Sequence, residues 1–123
     1  TKQKRSLDAN AYAWVLITKI GDALGRSKDD VYLDMLKRYG QTGIAKIPNE
    51  SAELFKRQWK YVEEHEKLPS EERAQYFRFW VGSSHYSVSE MSAFIDGIVS
   101  EAKDLDIETL TPSELERMKA DWK

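Results

Sequence analysis

Seven basic side chains and a set of aromatic rings are the residues of this chain with chemistry to offer. Lys2, Lys4 and Arg5 stand in the N-terminal stretch, Lys56, Arg57 and Lys60 form the densest basic cluster after it, and Arg78 sits in an aromatic run. Tyr12, Trp59, Tyr76, Trp80 and Tyr86 are the candidate stacking platforms. Cations that track a phosphate backbone, combined with rings on which bases stack, are what single-stranded nucleic-acid binding needs. The competing fate of each ring is burial in the core, and Trp14 and Phe77 are assigned there outright.

Catalytic chemistry has less to draw on. The chain contains no cysteine and two histidines, His65 and His85, in dissimilar contexts. A zinc site needs three or four Cys, His or carboxylate ligands at workable spacing, so no metal and no cofactor is expected. Ser83-Ser84-His85 invites a nucleophile–base reading, but adjacent residues rarely reach that geometry and no orienting acid is indicated. No glycine-rich phosphate loop or dinucleotide fingerprint occurs. Glu63, Glu64, Glu66, Glu71 and Glu72 read as a solvated acidic face. A non-enzymatic protein is the expectation.

The elements that must position these residues are mostly helices. Ser6 or Asp8 can cap a first helix, which Gly25 ends. Its apolar residues form two sets, Leu7, Ala11, Trp14, Val15, Thr18 and Tyr12, Leu16, Ile20, Leu24, so it should be covered on more than one side. Ser27 caps a second helix carrying Val31, Tyr32, Met35, Leu36 and Tyr39, and Gly40 stops it. Its acidic first turn makes it a poor groove-reading helix. Ile44–Ile47 is a short strand closed by Pro48. Asn49 or Ser51 opens a third helix with the stripe Ala52, Phe55, Trp59, Val62. The run from Glu63 to Lys67 is polar and solvated, and residues 68–73 form a loop.

Residues 75–81 are the best strand, with a helix from Ser70 as the alternative. Phe77, Phe79 and Val81 alternate with Tyr76, Arg78 and Trp80, which puts Arg78 on the open face of a sheet. Residues 44–47 make a poor partner alone, so upstream strands or a second copy of the chain should complete the pairing. Gly82–Tyr86 is a tight polar loop. Ser87 and Glu90 make a capping box for a fourth helix with the cleanest apolar period, Val88, Met91, Ile95, Ile98, Ala102, Leu105. Thr111, Pro112 and Glu114 start a fifth helix. The whole reads as one domain over residues 1–123. Its expected fold is α+β and mainly helical, with four to five helices around a small sheet of two or three strands.

Composition sets the outer limits. No apolar run approaches the ~18 residues that span a bilayer. No leader-like apolar stretch follows the N-terminus, and the lack of cysteine fits a cytoplasmic setting. The net charge is −2, but residues 1–60 carry 12 Lys/Arg against 7 Asp/Glu, and residues 61–123 carry 7 against 14. Such asymmetry can mark a basic binding face opposite an acidic one.

The opening residues Arg5-Ser6-Leu7-Asp8, Asn10 and Trp14 follow the pattern R-S-L-D-x-N-x-x-x-W, which resembles the NinB family of phage recombination proteins. Phe79-Trp80-Val81-Gly82-Ser83-Ser84, followed by the helix of Glu90-Met91, is similar to that family's strand, Gly-x-Ser loop (Gly82, Ser83, Ser84) and long helix. The segment from Tyr86 to Trp122 resembles uncharacterised prophage proteins with the same opening. Half the chain is covered. The resemblance implies a phage-encoded accessory protein of homologous recombination that is dimeric, binds single-stranded DNA and cooperates with host single-strand-binding protein. It also implies β-structure ahead of the motif, and hence the C-terminal part of a longer protein. Tyr61 to Arg73 follows no family pattern. Arg5 is expected to pair with an acid, and Asn10 with backbone near the helix start. The alternative function is a non-enzymatic adaptor that docks a host replication or recombination protein through the acidic half.

Overall fold

The structure, a computed structural model, describes residues 8–59 and 61–122, and of Lys67 the backbone only. The described residues form five helices and one three-stranded antiparallel sheet, a mainly helical α+β fold. The helices are α1 (Ala9–Leu24), α2 (Lys28–Tyr39), α3 (Ala52–Gln58), α4 (Val88–Asp104) and α5 (Pro112–Ala120). The strands are β1 (Thr42–Pro48), β2 (Tyr61–Lys67) and β3 (Ala74–Trp80). Among the described residues no helix is long and apolar enough to cross a membrane.

Local signals account for the helix ends. Asp8 caps α1, its carboxylate accepting the Ala11 N–H at 2.8 Å, and Gly25 closes it at φ 70°, a left-handed conformation cheap only for glycine. Ser27 caps α2 through the Asp30 N–H. Ser87 with Glu90 and Thr111 with Glu114 form complete capping boxes on α4 and α5, and Pro112 occupies the first turn of α5.

The main core lies where α1, α2 and α4 meet. Leu16, Ile17, Ile20, Val31, Leu36, Met91, Phe94, Ile95 and Ile98 are all buried there. Each such side chain contributes about 1.5–3 kcal/mol relative to exposure. Of the two apolar faces expected on α1, the Tyr12–Leu16–Ile20 face is buried together with Ala9, Ala13 and Ile17. The other is not a core face: Val15 and Thr18 are exposed and Trp14 is half-buried. The outright assignment of Trp14 to the core is thereby corrected.

The sheet order is β1-β3-β2, so β3 is central and paired on both sides within this chain. That removes the reason to seek upstream strands or a partner copy to complete it. The missing partner is residues 61–67, expected to be solvated: Val62 pairs with Phe79 and Glu63 with Arg78, and the register slips at His65. Charged side chains suit this position, because β2 is an edge strand and charge discourages further pairing. The expected third helix is correspondingly shorter. It stops at Gln58, Trp59 turns extended, and Val62 belongs to the sheet. β1 starts at Thr42, two residues earlier than expected.

The two sheet faces differ. Phe77 and Phe79 lie under α3, with Phe55 5.7 and 5.9 Å from their ring centroids and Trp59 4.4 Å from that of Phe79. Phe77 is buried as expected, in this small second cluster. The alternate face carries Tyr76, Arg78 and Trp80, and only Trp80 reaches the helical core.

Candidate functional site

A cleft of about 410 Å³ opens where the start of α1, the end of α3 and the loop after β3 converge. Its walls are aromatic: Trp14, Tyr32, Trp59, Tyr61 and Trp80. Trp14 stacks on Tyr32 with ring centroids 4.2 Å apart and planes 19° from parallel. Tyr32 stands 5.8 Å from Tyr61. Trp59 is delivered by the extended residue that ends α3, and Trp80 by the last residue of β3. Gln58, Gly82, Ser84 and His85 complete the rim.

One hydrogen-bond network joins the walls. The Ser83 N–H donates to the Tyr32 hydroxyl at 2.9 Å, and that hydroxyl lies 2.9 Å from Ser83 Oγ. Ser83 Oγ donates to Asn10 Oδ1 at 2.5 Å. The directions are mutually consistent: Tyr32 accepts from the Ser83 backbone and donates to Ser83 Oγ, whose own proton goes to Asn10. Ser83 is 1% exposed. Its proton is committed to an amide oxygen, so Ser83 has no base to activate it as a nucleophile.

The wall that carries Val81 and Gly82 is pinned from behind. Tyr86 accepts the Gln41 N–H and donates to the Val81 carbonyl, both at 2.9 Å, while Trp122 Nε1 donates to the Tyr86 carbonyl at 2.8 Å. Burial pushes the Tyr86 hydroxyl up to about 12, with the Gln41 N–H opposing. Tyr86 is therefore a strut, and not a stacking platform. Tyr12 is also buried, its hydroxyl accepting the Leu110 N–H at 2.9 Å, and is likewise removed from the platforms.

The structure brings Asn10, Trp14, Gly82, Ser83 and Ser84 into one cleft, together with the candidate platform Trp59; Trp80 also lines it but is buried, and so is removed from the platforms like Tyr12 and Tyr86. Asn10 pairs with a side chain 73 residues away, and not with nearby backbone as expected. Asp8 is the α1 cap. Lys2, Lys4, Arg5, Ser6, Leu7 and Lys60 lie outside the described residues. The half-buried Arg78 stands beside the cleft residues in β3, flanked by Ile44 and Glu63, with Nη1 3.5 Å from Thr42 Oγ1.

The basic cluster on α3 is partly neutralised. Lys56 Nζ is 3.9 Å from carboxylate oxygens of both Glu53 and Glu64 and lies over the Phe77 ring. Arg57 is exposed and makes no ion pair among the described residues. No described Lys or Arg lines the cleft itself. Lys37 comes close: its ammonium is 5.5 Å from the Trp80 ring centroid, but it is paired with Glu63. Among the described residues no three His, Asp or Glu side chains group as a metal site.

Sequence reasoning missed Tyr32, Tyr61 and Gln58. Tyr32 lies in the apolar stripe of α2, where its spacing matches that of any core tyrosine. Comparison with protein-family models, with curated proteins and with solved structures finds no match to this chain.

Proposed function

We propose that this chain is a non-enzymatic single-stranded-DNA-binding protein of phage recombination, of the NinB type that its opening residues resemble, and that the aromatic cleft takes unpaired bases. The observation that carries the reading is the cleft itself. The partly exposed rings of Trp14, Trp59 and Tyr61 converge on a space open enough for a base, with buried Tyr32 and Trp80 behind them, and base–aromatic stacking contributes about 1–3 kcal/mol per base. No described Lys, Arg, Asp or Glu lines the cleft, so bases enter while phosphates stay at the rim. The cations left for phosphate are Arg57, Arg78, Lys60 and the N-terminal Lys2, Lys4 and Arg5, which precede Asn10 closely in sequence. Host single-strand-binding protein and a second copy of the chain are the protein partners that the resemblance implies, in the cytoplasm of the host.

Three of the four tryptophans, Trp14, Trp59 and Trp80, line the cleft, so stacked bases should quench intrinsic fluorescence. The test is a titration with single- and double-stranded oligonucleotides at two salt concentrations, read by tryptophan quenching and by anisotropy. Salt-sensitive binding that favours single strands, with quenching reduced in Trp14→Ala, supports the proposal. No binding to either form removes it and leaves the adaptor, whose candidate surface is the exposed Glu63, Glu64 and Glu66 on edge strand β2.

A further inference from the structure

We propose that the free edge of β1 is an interface with a second copy of this chain, in which two β1 strands pair antiparallel about a two-fold axis at Ile44. This surface is separate from the cleft, and the proposal does not depend on DNA binding.

The two edges of the sheet are built differently. β2 carries Glu63, Glu64 and Glu66, and its register slips at His65. Charge and a bulge both discourage another strand from adding there. Along Thr42–Ile47, β1 carries one charge, Lys46, and it pairs with β3 without a slip. Among the described residues, central β3 is paired on both sides and β1 on one.

The direction of the β1 backbone follows from the hydrogen bonds at its two ends. The Gln41 carbonyl accepts the Val81 N–H at 3.0 Å, and the Asn49 N–H donates to the Arg73 carbonyl at 2.9 Å. Bonded positions alternate along an antiparallel pair. Gly43, Ala45 and Ile47 therefore bond to β3, while Thr42, Ile44 and Lys46 turn their N–H and C=O groups to the free edge. Those three residues are exposed.

Apolar side chains flank this edge on both faces of the sheet. Ile44, on the face away from α3, is 48% exposed, and Leu54 of α3 is 60% exposed. Phe55 meets Phe77 and Phe79, and Lys56 reaches Glu64 on β2. Successive helix residues are about 100° apart, so Leu54 projects from the other flank of α3, the side of β1.

An occupant of this edge must offer matching backbone groups and an apolar centre, and β1 itself does both. With Ile44 opposite Ile44 of the second copy, Thr42 falls opposite Lys46. Each outward pair then exchanges both N–H···O bonds, the two isoleucines cover one another, and no like charges meet. The same axis brings the two Leu54 side chains to one side of the joined sheet. A patch that contacts itself is the isologous two-fold interface commonest among homo-oligomers.

The experiment reads mass by analytical ultracentrifugation and amide exchange by NMR on the full chain. The wild type is expected to sediment as a dimer with the Ile44 amide protected. Ile44→Lys sets two cations face to face at the axis, and Leu54→Glu sets two carboxylates together on the α3 side. Each should halve the mass with the circular dichroism unchanged, and Leu54→Glu should lose the protection of the Ile44 amide. Leu24→Lys, at a similarly exposed leucine that ends α1, should remain a dimer. Leu54 lies outside the sheet, so its variant keeps the test available if Ile44→Lys fails to fold. A monomeric wild type, a dimer that survives both substitutions, or one that Leu24→Lys also breaks overturns the proposal.

Discussion

Ser83 gives its hydroxyl proton to Asn10 across 73 residues of chain, and the same serine is hydrogen-bonded twice to Tyr32. One buried serine therefore ties α1, α2 and the loop after β3 together behind a cleft. Ser83→Ala should leave Tyr32 without its acceptor in a buried site and free the Asn10 amide. Losing a buried hydrogen-bond partner costs about 1–3 kcal/mol. Urea unfolding of the variant should show that loss at an unchanged m-value, because the surface exposed on unfolding is the same.

On the single-strand reading proposed above, the α3 cations should not contribute equally to DNA affinity. Lys56 is held between Glu53 and Glu64, whereas Arg57 is exposed with no such pair among the described residues. Arg57→Ala should weaken single-strand binding and reduce the slope of log affinity against log salt by about 0.7, the value for one phosphate contact on a single strand. Lys56→Ala should change the slope little. Anisotropy titrations across a salt series separate the two.

Alkaline pH should destabilise the fold through Tyr86. Burial raises its hydroxyl from the ordinary tyrosine value of about 10 to about 12. Below pH 10 both folded and unfolded chains hold the proton and the contribution is fully present. Between 10 and 12 the unfolded chain releases it first, so stability falls through that window. Tyr12 and Tyr39, also raised, act in the same direction. Tyr86→Phe should be less stable at pH 8, because Gln41 N–H and the Val81 carbonyl lose their partner, but should lose less on going to pH 11.5. Chemical denaturation at the two pH values checks this.

Gly97 lets α4 approach the Tyr39 ring of α2 closely. A Cβ there would sit 2.2–2.5 Å from ring atoms of Tyr39, whose hydroxyl donates to Glu101 at 2.5 Å. Overpacking of this kind costs about 1–3 kcal/mol, while alanine regains about 1 kcal/mol of helix propensity. Gly97→Ala should therefore be destabilising on balance, and Gly97→Ala with Tyr39→Ala less so than the sum of the single changes. Thermal unfolding of the three variants reads the coupling.

What the sequence determined alone was local. Asp8, Ser27, Ser87 with Glu90, and Thr111 with Glu114 each satisfy backbone groups within three residues, so their roles can be read without knowing the fold. The apolar periods of α2 and α4 are legible for the same reason, as is the strand at Ala74–Trp80, whose aromatic alternation is its own signal. Phe77 in the core and Arg78 on the opposite face follow from that alternation.

The tertiary structure decided the rest. The strand at Tyr61–Lys67 has no apolar alternation, because an edge strand takes its order from pairing with β3 and can leave its side chains in water. Trp14 has the spacing of a core residue, yet it forms a wall, since periodicity reports a helical face and not what meets it. The cleft joins residues from α1, α2, α3, β2, β3 and the loop after β3, and its central hydrogen bond spans 73 positions. Such contacts depend on long-range closure of the chain, which no local pattern encodes, so the sequence could name Asn10, Trp14 and Ser83 separately and only folding could bring them together.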